Sequence, residues 1–487
     1  MFINYYIKML SNMNRTLLKT IISILWIVGL CMLLLLWPTN DDWDYLTAPY
    51  VEGSLLHRML PNGTFWRPFD ALFGSFLNLN TGMFPSINHM ANYLGHCWGA
   101  ILVWKIGRKL NYSVLARNIS VLYFLFLPAM LGALLGCDSM NQTYSSTWGL
   151  LGLYVFLFVE GGKKYLWLLF ALFATFSKEN GIAWFVIPPL FAYGLNKASQ
   201  KKAGIQLGYG IICVGFYFIS RILLSTNSSV ISALSNNHSP YVFSIKRKII
   251  DLCSFLASTF TTIDPIAIVP DISRNYFIAL VSILASLPFL VGLVRGVDIH
   301  TKKSRKFLFF TSLCILISVF PHLATHFGPM HAYASLGLTA LLIGRLIQNS
   351  IISEKIINTS FTIFLVAALL VDAHHYFWML KSSRLFIPMS QNVIKVLDGK
   401  RPESIYIISN YTFKRYSAFV IPYEDEFVYG NALKFYNRYD WPLKTSGMTI
   451  EHPTKDMLDK IVKEKSSLYD AIIYMDKSEA TLLYLKR

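Results

Sequence analysis

The chain has 487 residues, 54% of them hydrophobic and 15% charged, with a mean hydropathy of +0.45 and a net charge of +17. A soluble domain carries about 25% charged residues, so the composition excludes an ordinary soluble enzyme and points to a membrane protein. The basic excess is therefore read as charge flanking membrane segments, where it reports orientation, and not as a nucleic-acid surface.

The first apolar run, residues 18–37, follows Lys8 and Arg15, has Lys19 at its start and has no small-residue cleavage site after it, so it reads as a retained span. Further apolar segments lie near 86–104, 117–136, 145–160, 165–177, 180–195, 205–224, 276–295, 307–321, 332–350 and 357–378. A span needs roughly 17–25 mostly apolar residues, and these segments suggest about eleven transmembrane helices. Residues 246–268 are interrupted by Lys246, Arg247, Lys248, Asp251 and Asp264, a pattern that suits an interfacial or re-entrant helix. Lys and Arg concentrate in alternate connecting segments, including Lys105–Lys109, Lys163–Lys164, Lys197–Lys202 and Lys302–Lys306. The positive-inside rule then puts the N-terminus in the cytoplasm and the C-terminus outside, in a bacterial inner (plasma) membrane.

From about residue 380 the composition changes. Residues 404–408, 471–475 and 482–485 read as short strands, and Lys455–Lys465 as an amphipathic helix. The expected architecture is an α-helical polytopic membrane domain over 1–379 and a small α/β extracytoplasmic domain over 380–487. Six cysteines lie within or beside apolar segments, so no disulfide framework or zinc ribbon is indicated.

The long outer loop 38–85 opens with Pro38-Thr39-Asn40-Asp41-Asp42-Trp43-Asp44-Tyr45. Loops of this length are uncommon unless functional. Adjacent Asp41 and Asp42 repel one another in a partly dehydrated site, which suits one of them to general-base work. Acids capping a helix would give the same pattern. Arg67, in Trp66-Arg67-Pro68-Phe69-Asp70, suits either a phosphate as a bidentate donor or a pairing with Asp70. Lys178 and Glu179 sit between two apolar segments, where ionisable side chains usually face a cavity and a partner. Glu179 pairing with Lys178 in a plain turn is the simpler alternative. His322, His326 and His331 are spaced four and five apart, so a divalent metal, a phosphate or a hydroxyl are all open as their ligand.

Trp66-Arg67-Pro68, the stretch from Gly82 to His96, Ser177-Lys178-Glu179 and Tyr333-Ala334-Ser335-Leu336-Gly337-Leu338 occur in that order. Together they resemble motifs of the GT-C fold membrane glycosyltransferases, in particular the protein-mannosyltransferase-like group. Two positions depart from that pattern: His331 stands near where an Arg is common, and Ala334 stands where Pro is usual. The resemblance implies inverting transfer of a sugar from a polyprenyl- or dolichyl-phosphate donor to a glycan, lipid or protein acceptor, for a cell-envelope glycan. It assigns the base to Asp41, with Asp42 second, and donor-phosphate contacts to Lys178, His326 and His331; Arg67, Glu179 and Tyr333 are further candidates for donor or acceptor binding. An oligosaccharide ligase or polymerase using a diphosphate-linked donor, or a flippase for a lipid-linked sugar, remain as alternatives. A transporter is expected to show internal repeats or matched broken helices, and the sequence shows neither.

Overall fold

Helices make up most of the chain, and capping signals explain several of their starts. Ser113, Ser199 and Thr454 each accept a hydrogen bond from the backbone N–H three residues on, which satisfies a donor that helix geometry leaves open. The computed structural model describes residues 27–29, 31–36, 42, 54–61, 66–77, 86–225, 245–263, 276–298, 300–324, 327–410, 433–434, 442–450, 452–476 and 478–486. Its helices are α1 (Leu55–Met59), α2 (Pro68–Leu77), α3 (Ser86–Lys109), α4 (Val114–Phe126), α5 (Leu131–Leu134), α6 (Met140–Phe158), α7 (Leu166–Ser177), α8 (Ile187–Gly194), α9 (Gln200–Leu224), α10 (Ile245–Phe260), α11 (Tyr276–Val294), α12 (Lys302–Ala324), α13 (Tyr333–Asn349) and α14 (Glu354–Leu397).

The expectation of about eleven spans is overturned. Among the described residues four helices are long and apolar enough to cross a membrane: Gln200–Leu224, Lys302–Ala324, Met330–Asn349 and Glu354–Lys381. A fifth results if α4 and Pro128–Leu134, bent by 46°, count as one broken span. Most of the 18–37 run lies outside the described residues, and several of the other apolar runs fail for concrete reasons. α7 has only 12 residues, and the 180–195 run divides into a 3-10 stretch, Glu179–Phe185, and the eight-residue α8. α3 is long enough, but it buries Asn88, His89, Asn92 and His96, and α6 opens on the buried Asn141-Gln142-Thr143. Short runs that line a protein interior are as apolar as runs that face lipid, so composition alone overcounts.

The GT-C fold that the motif resemblance implied needs more spans than the four or five found among the described residues, and it is corrected with them. So is the picture of a polyprenyl-phosphate-dependent membrane transferase of that architecture: four short motifs in order do not supply the missing spans. What the long apolar helices establish is an integral membrane protein.

The spans differ in what surrounds them. α13 buries most of its residues, from Tyr333 to Ile347, among neighbouring helices, whereas α9 exposes Ile212, Phe216, Ile219, Ile222 and Leu223. α10 also turns apolar residues outward (Ile245, Ile249, Leu252 and Leu256) while Asp251, Ser254 and Ser258 face inward. Asp251 is held there by Arg247 Nε at 3.1 Å and Lys248 Nζ at 3.6 Å.

α14 has 44 residues, roughly 66 Å at the α-helical rise. It continues past its span, and Met389, Val393 and Leu397 pack on a sheet of order β2-β1-β3-β4. Strands β1 (Ser404–Ser409), β2 (Lys444–Thr449) and β3 (Ala471–Asp476) are parallel, and β4 (Glu479–Leu485) is antiparallel to β3. Helix α15 (Lys455–Lys465) covers the opposite face through Leu458, Ile461 and Val462. β2 was not anticipated: its sequence, Lys-Thr-Ser-Gly-Met-Thr, lacks the apolar run of the other strands.

Candidate functional site

One end of the helical body gathers most of the charged and amide side chains that the helices bury. The centre is the turn Gly136-Cys137-Asp138-Ser139 between α5 and α6. Asp42 is fully buried, and its Oδ1 accepts from the backbone N–H of Cys137 and, at 2.9 Å, from that of Asp138. A Cβ on Gly136 would lie 2.5 Å from Asp138 Oδ1 and 3.5 Å from Asp42 Oδ1. The missing side chain thus leaves the space that both carboxylates face. Ser139 Oγ donates to Asp138 Oδ1 at 3.1 Å.

α3 fixes the turn from behind. Asn92 Nδ2 donates to the carbonyls of Ala133 (2.7 Å) and Gly136 (3.1 Å), and His89 Nε2 lies 3.5 Å from Cys137 Sγ. Two carbonyls tied to one amide set the direction of the next peptide planes, and those planes carry the N–H groups that hold Asp42.

Opposite stands the turn after α7. Gly181 N–H donates to Lys178 O at 2.8 Å, and a Cβ at Gly181 would run into the backbone of Ala174 and Thr175. Only glycine lets the turn lie this close to α7, so Gly181 sets where Lys178 and Glu179 project. Lys178 is 7% exposed, and its Nζ donates to Met330 Sδ at 3.5 Å, a weak acceptor for an ammonium. Met330 also receives Ser139 Oγ at 3.8 Å, which brings the 3-10 turn Pro329–Ala332 onto the same site.

Arg67 takes a partner that was not expected for it. It pairs with Glu179, Nε lying 3.0 Å and 2.9 Å from the two carboxylate oxygens and NH2 2.9 Å from Oε2. The Trp66 N–H adds a further bond to Glu179 at 3.2 Å, and the Trp66 ring stacks on Tyr217 with centroids 5.1 Å apart. Glu179 therefore clamps the Trp66-Arg67 segment to the helices, and the Lys178–Glu179 pairing considered from sequence is not formed. This division leaves Lys178 as the cation held by a thioether.

Burial and charge shift the titration of this group, and the charges of Arg67, Asp70, Asp138, Lys178 and Glu179 act on one another. Burial pushes Lys178 down to about 8, helped by the nearby Arg67. Burial pushes Asp70 up to about 6 against the pull of Arg67. Burial raises Glu179 as well, but Arg67 and the Trp66 N–H outweigh it and hold the carboxyl below its usual range.

Of the other expected site residues, Asp41 and His326 lie outside the described residues. His331 accepts from Gly328 N–H through Nδ1 at 2.7 Å and stacks on His322 with ring centroids 3.7 Å apart. Among the described residues no group of three or more His, Cys, Asp or Glu side chains is placed to hold a metal ion. Tyr333 lies in the helical interior, fully buried, with its OH 2.8 Å from His96 Nδ1. It braces α13 against α3.

Sequence reasoning passed over Asp138, Ser139, Asn141 and Gln142. The signal was present: seven consecutive residues from Cys137 to Thr143 separate two apolar runs, and they include an acid and two amides. No family model matches the chain, and no curated protein matches it.

Proposed function

We propose that this protein transfers a sugar, with inversion, from a lipid-linked phosphate donor to an acceptor hydroxyl at the membrane surface. The observation that carries the reading is the buried Asp42, oriented by two backbone N–H groups beside Asp138, with the thioether-held ammonium of Lys178 across the site. The reading rests on this geometry and not on the corrected fold.

Asp42, seated against Asp138, takes the proton of the acceptor hydroxyl. The acceptor oxygen forms its bond to the anomeric carbon from the face opposite the phosphate. The bond between that carbon and the phosphate oxygen breaks, and the electron pair leaves with the phosphate. Negative charge grows on the leaving group in a site of low polarity, where a positioned cation is most effective. Lys178 supplies that cation. Arg67, already neutralised by Glu179, keeps Glu179 from cancelling the Lys178 charge.

The orientation follows the charges. Basic residues gather at the starts of α9 (Lys201, Lys202), α12 (Lys302, Lys303, Arg305, Lys306) and α14 (Lys355) and near the end of α13 (Arg345), a pattern that supports a cytoplasmic basic face with the site on the extracytoplasmic side.

The test is an assay of the full chain in lipid nanodiscs with a panel of lipid monophosphate and diphosphate sugars, including polyprenyl carriers. Wild type is expected to consume a monophosphate donor, and Asp42→Asn to slow transfer by about 100-fold or more. Full activity in Asp42→Asn would sink the assignment. Consumption of diphosphate donors alone would indicate a ligase, and lipid crossing the bilayer without transfer would indicate a flippase.

A further inference from the structure

Four side chains along the site wall are joined in two pairs, and each leaves one polar atom unmet. Asn141 Nδ2 donates to Asp70 Oδ2 at 3.3 Å, and Asn180 Nδ2 donates to Gln142 Oε1 at 3.4 Å. Asp70 Oδ1, Asn141 Oδ1, Gln142 Nε2 and Asn180 Oδ1 are buried without a hydrogen-bond partner in the protein. Asn141 is 6% exposed, Gln142 0% and Asn180 5%. Folded proteins satisfy nearly all such atoms, and four unmet atoms on two bonded pairs that meet at the adjacent Asn141 and Gln142 point to a ligand. Exchanging amide O and N would change which atoms donate but not how many groups are unmet.

The pattern selects the ligand chemistry. Three of the unmet atoms are acceptors and one is a donor, so an anion satisfies only Gln142 and an apolar group satisfies none. Adjacent hydroxyls, each able to give one hydrogen bond and take another, satisfy all four. The placement agrees. Asn141 and Gln142 open the helix that Asp138 and Ser139 lead into, and Asn180 lies two residues after Lys178. Asp70 feels the charges of both Lys178 and Asp138.

We infer that Asp70, Asn141, Gln142 and Asn180 form a sugar-hydroxyl subsite that reads the ring of the transferred sugar between the Asp42–Asp138 carboxylates and Lys178. Its role as a donor subsite rests on the transfer reading, whereas its affinity for sugar hydroxyls does not. A site built to hydrogen-bond hydroxyls rejects analogues that lack one, because its own buried groups are then left unpaired.

Free monosaccharides separate the two claims. The full chain in detergent is titrated by saturation-transfer-difference NMR with hexoses, pentoses and the single-deoxy analogues of whichever sugar binds best. Saturable binding of one sugar is expected, with about tenfold or greater weakening for at least one deoxy analogue. The volume-keeping variants Gln142→Met and Asn180→Leu are expected to weaken the parent sugar by a similar factor and to flatten the preference over that analogue. Unchanged affinity in folded variants overturns the subsite. Equal affinities of wild type for parent and deoxy sugars do the same, and that comparison needs no variant. If no monosaccharide binds, the four atoms are met by buried water and the inference falls. Sugar binding without turnover of any lipid-linked donor would leave the subsite standing and remove the transfer reading.

Discussion

The helical body and the C-terminal sheet treat their polar groups in opposite ways. In the sheet, Ser404 donates through both N and Oγ to Asp470 Oδ2, Asp470 N–H returns a bond to Ser404 Oγ at 3.0 Å, and Asn410 Nδ2 reaches Asp476 Oδ1 at 2.7 Å. These contacts close on themselves and join the ends of β1 and β3. In the body, Lys178 has a thioether for a partner, and Asp70, Asn141, Gln142 and Asn180 are half satisfied. Closed networks stabilise a fold, and open ones hold polar atoms in reserve for something else. The comparison assigns structure to the sheet and chemistry to the Asp42–Lys178 end of the body.

Breaking the open network is expected to cost activity first. Asp138→Asn should lower transfer by about 100-fold or more, as Asp42→Asn does, and the double variant should lose little beyond either single one, because the two carboxylates act as a unit. Fully multiplicative losses in single-turnover rates would separate their roles. Next comes Lys178. Its ammonium titrates near 8, so donor affinity should fall as pH rises through about 8 and the charge is lost. Lys178→Arg, which stays charged at high pH, should remove that limb from the pH profile of KM even if overall rates drop. An unchanged limb would place the titrating group elsewhere. The smallest effect is expected from the closed network. Asp470→Ala should lower thermal stability by about 1 kcal/mol, read as a shift in Tm, with transfer unaltered. Loss of transfer in a folded Asp470→Ala would contradict the division between the two regions.

Some of this was legible from residues alone. Hydropathy identified a membrane protein, and periodicity located three of the four strands and helix α15. The resemblance drew attention to Arg67, Lys178 and Glu179, three residues that the structure brings to one place. The span count failed because apolar runs such as Leu166–Ser177 read alike whether they face lipid or protein. Asp138 was passed over for a related reason: a single acid in a short polar turn has no periodicity to mark it.

Sequence by itself therefore determined the solvent class of the chain and which side chains can carry charge in its apolar surroundings. Tertiary structure decided how those charges are shared. Glu179 is adjacent to Lys178 in sequence, yet its two oxygens are taken by Arg67, 112 residues away. Asp42 gained its orientation from N–H groups 95 and 96 residues further on. Hydrogen bonds and ion pairs depend on distances of a few ångströms, and sequence separation carries no information about distances on that scale.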